Sequence, residues 1–112
     1  MNASRPKILV VDDDDELRDT LDDWLTMAGY EVTTAADGHE ALECASWETF
    51  EAVVTDLKMP NLDGLGLLRR LKAMDPDSQV IFLSGEATKA DVIEALREGR
   101  SFDFLEKPLA DL

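Results

Sequence analysis

Three short apolar runs punctuate the chain: Ile8-Leu9-Val10-Val11, Ala52-Val53-Val54 and Val80-Ile81-Phe82-Leu83. They are rich in β-branched residues, unbroken by polar alternation and too short for helices. They therefore predict strands covered on both faces. Two weaker strand candidates are Glu31 to Ala35, which alternates, and Phe102 to Leu105. Helical spacings lie between them. Leu17, Leu21, Trp24 and Ala28 recur along one face and stop at Gly29, a C-terminal signal. A second helix is predicted from about Gly38 to Ala45, with Asp37 placed to cap it. Leu67, Leu68, Leu71 and Met74 define a third, ended before Pro76. Val92, Ile93, Leu96 and Gly99 define a fourth, with Thr88 and Asp91 at capping-box spacing.

The order is β-α-β-α-β-α-β-α-β with short connections. It predicts an α/β fold, a doubly wound parallel sheet with helices on both faces and right-handed crossovers. The chain ends soon after the fifth strand, so the expectation is one domain over residues 1–112, truncated there with the fifth helix missing. Part of one sheet face would then need a cover.

Composition narrows the function. Hydrophobic residues make up 45 % of the 112 and charged residues 32 %, as in a globular protein. Net charge is -14, from 11 basic and 25 acidic side chains. Duplex binding needs clustered Lys and Arg, and an anionic membrane would repel this chain, so neither direct nucleic-acid nor membrane contact is expected. Met1 to Arg5 has no apolar run of a secretion signal and no stretch reaches spanning length; the expected location is cytoplasmic. Cys44, the only cysteine, reads as a small apolar helix residue. His39 reads as a surface residue, Trp24 as core and Trp47 as a loop residue.

In an open parallel sheet, ligands gather beyond the carboxyl ends of the strands. Asp12-Asp13-Asp14-Asp15 follows the first strand and Asp56 the third. Ser84-Gly85 follows the fourth, and Lys107-Pro108 the fifth. Asp14 and Asp15 read as the cap and charged first turn of the next helix. Asp12 and Asp13 leave the strand earlier and converge with Asp56. Two carboxylates ~5 Å apart repel by about 3 kcal/mol at an effective dielectric near 20. A divalent cation relieves this, and an all-oxygen site suits magnesium, with manganese as an alternative. One carboxylate then serves as nucleophile toward phosphorus, Lys107 pairs with a phosphoryl oxygen and Ser84 donates a hydrogen bond to another.

With these motifs the sequence resembles the receiver domains of two-component response regulators. The resemblance runs from Lys7 to about Leu109. It rests on Ile8-Leu9-Val10-Val11-Asp12-Asp13, Asp56-Leu57-Lys58-Met59-Pro60-Asn61-Leu62-Asp63-Gly64, Leu83-Ser84-Gly85 and Phe104-Leu105-Glu106-Lys107-Pro108. It implies the flavodoxin-like strand order 2-1-3-4-5. It also implies that Asp56 is the phosphoacceptor and that Asp12, Asp13, Asp56 and the backbone carbonyl of Lys58 hold the metal. Ser84 matches the switch hydroxyl, Phe104 the aromatic rotamer switch and Lys107 the phosphate-contacting lysine, with the Lys107-Pro108 bond cis. Lys58 and Glu86 fall at positions expected to tune the lifetime of the aspartyl phosphate.

The implied donor is a phosphohistidine on a sensor histidine kinase or phosphotransfer protein. The implied output is altered partner binding on the face of the fourth helix and fifth strand. The missing fifth helix separately predicts either a fragment of a longer regulator or hybrid kinase, with a covalently linked output domain, or a domain that associates with itself. Such a chain catalyses its own phosphorylation and dephosphorylation and is not a multiple-turnover enzyme. The alternative is a receiver-like interaction module that works without phosphorylation. Gly99-Arg100-Ser101-Phe102-Asp103-Phe104 departs from the family pattern, with one residue more than the usual Gly-Ala-aromatic-Asp-Phe. A haloacid-dehalogenase-type hydrolase would need a threonine within the first acidic run, and Asp12 to Glu16 has none. A flavin carrier would need phosphate-binding hydroxyls and amides where four aspartates stand.

Overall fold

The computed structural model describes residues 5–56, 62, 64–75, 77, 79–83 and 102–105. Its strands are β1 (Lys7–Val11), β2 (Glu31–Ala35), β3 (Ala52–Asp56), β4 (Gln79–Leu83) and β5 (Phe102–Leu105). The helices are α1 (Asp15–Met27), α2 (Gly38–Trp47) and α3 (Gly64–Met74). All strand pairings are parallel, in the order β2-β1-β3-β4-β5. The predicted fourth helix, with Thr88 and Asp91, lies outside the described residues.

The unbroken apolar runs are explained by two separate cores. On one face Ile8, Val10, Ala52, Val54 and Ile81 pack with Leu21 and Leu25 of α1. On the other, Leu9, Val11, Val53, Val80 and Phe82 pack with Ala41 of α2 and with Leu67 and Leu71 of α3. Successive strand residues point to opposite faces, so a strand buried on both has no polar position. β2 is an edge strand with half-exposed Val32, Thr33 and Thr34, which is why its pattern is weaker. The sheet's near edge is tied by Lys7, whose Nζ donates to Glu48 Oε2 at 3.1 Å.

The helix ends follow their capping residues. Asp14 Oδ1 accepts from the backbone N–H of Glu16 (3.0 Å) and Leu17 (3.2 Å), and Asp37 Oδ1 accepts from that of Glu40 (2.8 Å). Gly29 follows α1 with φ 103°, the left-handed conformation that glycine adopts most easily. α2 runs two residues past the predicted end, and Trp47 is its last residue, 84 % exposed, rather than part of a loop. Trp24 is half-buried against the α1-side core. Cys44 is partly buried in α2; burial first, then Glu40, Glu43 and Glu48, pushes its thiol pKa up.

The exposed large hydrophobic side chains among the described residues are Met27, Trp47 and Met74, the last residues of α1, α2 and α3. Helices that return between parallel strands end where the strands begin. The apolar spots therefore lie at the pole opposite the strands' carboxyl ends.

Candidate functional site

The polar convergence is built by β1 and β3. These strands are neighbours with Val11 opposite Thr55, so Asp12 and Asp56 leave the sheet side by side. Asp12, Asp13 and Asp56 each offer a carboxylate oxygen, and the three oxygens lie within 4.8 Å of one another. Asp12 is fully buried, Asp56 half-buried and Asp13 exposed.

Asp12 is held through its backbone and its side chain. Its N–H donates to the Ala35 carbonyl of β2 (3.2 Å), and its Oδ1 accepts from the Asp14 N–H (2.9 Å). Its carbonyl accepts from Arg18 Nη1 of α1 at 2.8 Å. The Thr55 hydroxyl, on the buried side chain before Asp56, donates to the Asp56 carbonyl at 3.1 Å. Buried polar groups with such partners fix geometry, because losing a partner leaves a desolvated group unsatisfied.

Three carboxylates this close repel one another strongly unless a cation or a proton intervenes. The donors are all hard oxygens, one from a buried group already aligned by a backbone amide and one from an exposed group open to water. That set fits magnesium, which prefers oxygen ligands and keeps several waters. Asp14 and Asp15 take no part in the cluster; Asp14 caps α1 and Asp15 pairs with Arg18. Lys58, Ser84, Glu86 and Lys107 lie outside the described residues, as does the Lys107-Pro108 bond. Phe104 stands on β5 opposite Phe82. The contacts of Arg18 with Asp12 and Asp15 were missed in the sequence. The i,i+3 spacing of Asp15 and Arg18 was the available signal, and it is common on solvated helices.

A parallel sheet in this strand order with an acidic cluster at its carboxyl edge is the architecture of an α/β receiver domain. The response regulator receiver domain family matches residues 8–111, and the chain belongs to it. PrrA of Mycobacterium tuberculosis, a transcriptional regulatory protein, is 42 % identical over 112 residues, covering 98 % of this chain and 48 % of PrrA. FixJ of Bradyrhizobium diazoefficiens, also a transcriptional regulatory protein, is 38 % identical over 109 residues, covering 97 % of this chain and 53 % of FixJ. The chain thus spans about half the length of these relatives.

Among solved structures, a receiver domain protein from Clostridium thermocellum superposes with TM-score 0.74 at 36 % identity, over 92 % of this chain and 82 % of that one. The response regulator TrrA from Thermotoga maritima, solved in complex with Mg(2+)-BeF, gives 0.73 at 28 % identity, over 92 % and 87 %. Receiver domains belong to two-component systems and are signalling domains rather than classical multiple-turnover enzymes. No helix among the described residues is long and apolar enough to cross a membrane.

Proposed function

We propose that this chain is a phosphorylation-dependent switch in a two-component phosphorelay, with Asp56 as the phosphoacceptor. The observation that carries the reading is the meeting of the Asp12, Asp13 and Asp56 oxygens within 4.8 Å at the carboxyl edge of the sheet. Asp12, Asp13, Asp56 and the backbone carbonyl of Lys58 would hold magnesium, with manganese as an alternative. When bound, the ion supplies neutralisation of charge on the phosphoryl oxygens and on the carboxylates around it. The crystallised Mg(2+)-BeF complex of TrrA supports this assignment by similarity.

The Asp56 carboxylate attacks the phosphorus of a phosphohistidine on a sensor histidine kinase or phosphotransfer protein. A P–O bond forms as the P–N bond breaks, and the departing imidazole keeps the electron pair and takes up a proton. Lys107 pairs with one phosphoryl oxygen and Ser84 donates to another. Ser84 and Phe104 couple this state to the face of the fourth helix and fifth strand, shifting a population of conformations and hence partner binding. Water attack on phosphorus then returns Asp56 and releases inorganic phosphate. Lys58 and Glu86 slow that step by obstructing the water; replacing both with Ala should shorten the aspartyl-phosphate half-life, and an unchanged or longer half-life rejects their role.

The length and names of PrrA and FixJ support a covalently linked output domain as the responding partner in the whole protein. Intact-mass measurement after incubation with magnesium and acetyl phosphate tests the central claim. One added phosphoryl group on wild type and none on Asp56→Asn is the expected result. No addition to wild type would leave a phosphorylation-independent interaction module.

A further inference from the structure

We infer that Arg18 is a positioning residue for the metal centre: its guanidinium fixes the backbone of Asp12 and so sets where the acidic loop presents Asp12 and Asp13. The inference rests on the reading of Asp12, Asp13 and Asp56 as metal ligands. Arg18 belongs to the first turns of α1, and its side chain is only 16 % exposed. Nη1 donates to the Asp12 carbonyl at 2.8 Å, across the loop rather than along the helix. Nη2 is engaged by Oδ1 of Asp15, itself 82 % exposed. The backbone N–H of Arg18 also donates to the Asp14 carbonyl, at 2.9 Å. That last bond is the ordinary first bond of the helix, so the arginine's own contribution is the grip of its side chain on Asp12 and Asp15.

The planar fork is what permits this. Arginine presents several donors in a fixed geometry, so one end can hold a carbonyl while the other is held by a carboxylate. A carbonyl acceptor within a run of four aspartates also benefits from a charged donor, which strengthens the hydrogen bond. Two effects of Arg18 on metal binding then oppose each other. As a cation it disfavours a second cation nearby, so its removal would tighten binding through charge alone. As a brace it pre-orders the ligands, so its removal would weaken binding. A partner that orients a ligand commonly changes metal affinity by about 10- to 100-fold, and the guanidinium charge is already paired with the Asp15 carboxylate, so the brace dominates.

The test measures the magnesium dissociation constant by calorimetry on unphosphorylated protein, together with the phosphorylation rate from acetyl phosphate at saturating magnesium. Arg18→Met keeps the aliphatic stem and removes both donors; its dissociation constant should rise about tenfold. Arg18→Lys keeps the charge and a single donor group and should recover part of the loss, whereas charge alone predicts tighter binding in Arg18→Met. Asp15→Asn releases only the exposed end and should change affinity less than about twofold. An unchanged or tighter constant in Arg18→Met overturns the inference. If Arg18→Met does not fold, Arg18→Gln, which also lacks the charge and the planar fork, takes its place, and an unchanged or tighter constant there overturns the inference equally. Wild-type protein that takes up neither magnesium nor phosphoryl would instead reject the functional reading on which the inference rests.

Discussion

Gly38 and Leu62 are in such close approach that a Cβ on Gly38 would fall 2.8 Å from the Leu62 carbonyl oxygen and 2.9 Å from the Leu62 Cβ. Leu62 lies between Asp56 and α3 in the sequence, and the start of α2 seats Leu62 itself. Alanine at a helical position is favoured over glycine by about 1 kcal/mol at most. Overpacking against backbone costs about 1–3 kcal/mol. Gly38→Ala should therefore lower stability in urea and also slow phosphorylation of Asp56. A variant as stable and as reactive as wild type would show that Leu62 yields without consequence.

The N-cap of α1 should be separable from the chemistry. Asp14 accepts from two backbone amides and takes no part in the carboxylate cluster. Asp14→Ala should cost about 1 kcal/mol and lower the unfolding midpoint by about 5 °C, while Asp14→Asn should cost little. Thermal melts in metal-free buffer check both.

Magnesium should stabilise the fold as well as the chemistry. At a hundredfold excess over its dissociation constant, a ligand selective for the native state adds about 2.7 kcal/mol. Wild type should show this in urea unfolding, and Asp13→Asn should lose most of it. Without metal the order should reverse, because Asp13→Asn removes one of three mutually repelling charges. Equal stabilisation of both proteins by magnesium would place the ion elsewhere.

Lys7 gives a prediction at high pH. Its hydrogen bond to Glu48, then the charges of Glu48 and Glu31, raises its pKa above the ordinary 10.5. A group with a raised folded pKa contributes its full stabilisation below the unfolded value and loses it as pH climbs through the folded one. The stability difference between wild type and Lys7→Met should be present at neutral pH and shrink above pH 10.5. The interaction is solvent-exposed and the effect small; a difference that grows with pH would reverse the assignment.

The central sheet was legible because burial on both faces removes polar residues from a strand, and the three apolar runs fall within β1, β3 and β4. Caps were legible for a similar reason: Asp14 and Asp37 serve their own helices through local backbone bonds. The grouping of Asp12, Asp13 and Asp56 followed from strand ends alone. The end of α2 was less legible, since Trp47 continues the helix while pointing to solvent and so adds nothing to the apolar stripe. Long-range contacts had no local signature. The Lys7–Glu48 pair, the grip of Arg18 on Asp12 and the approach of Gly38 to Leu62 join residues whose types are ordinary at their positions.

Because β1 and β3 are adjacent in space while β2 and two helices separate them along the chain, the Asp56 carboxylate has neither Asp12 nor Asp13 beside it in the unfolded protein. On the proposed function, the chain becomes competent to accept a phosphoryl group only when the third strand docks on the first. Damage that loosens that docking should silence the response before it abolishes compactness, making loss of signalling an early symptom of misfolding.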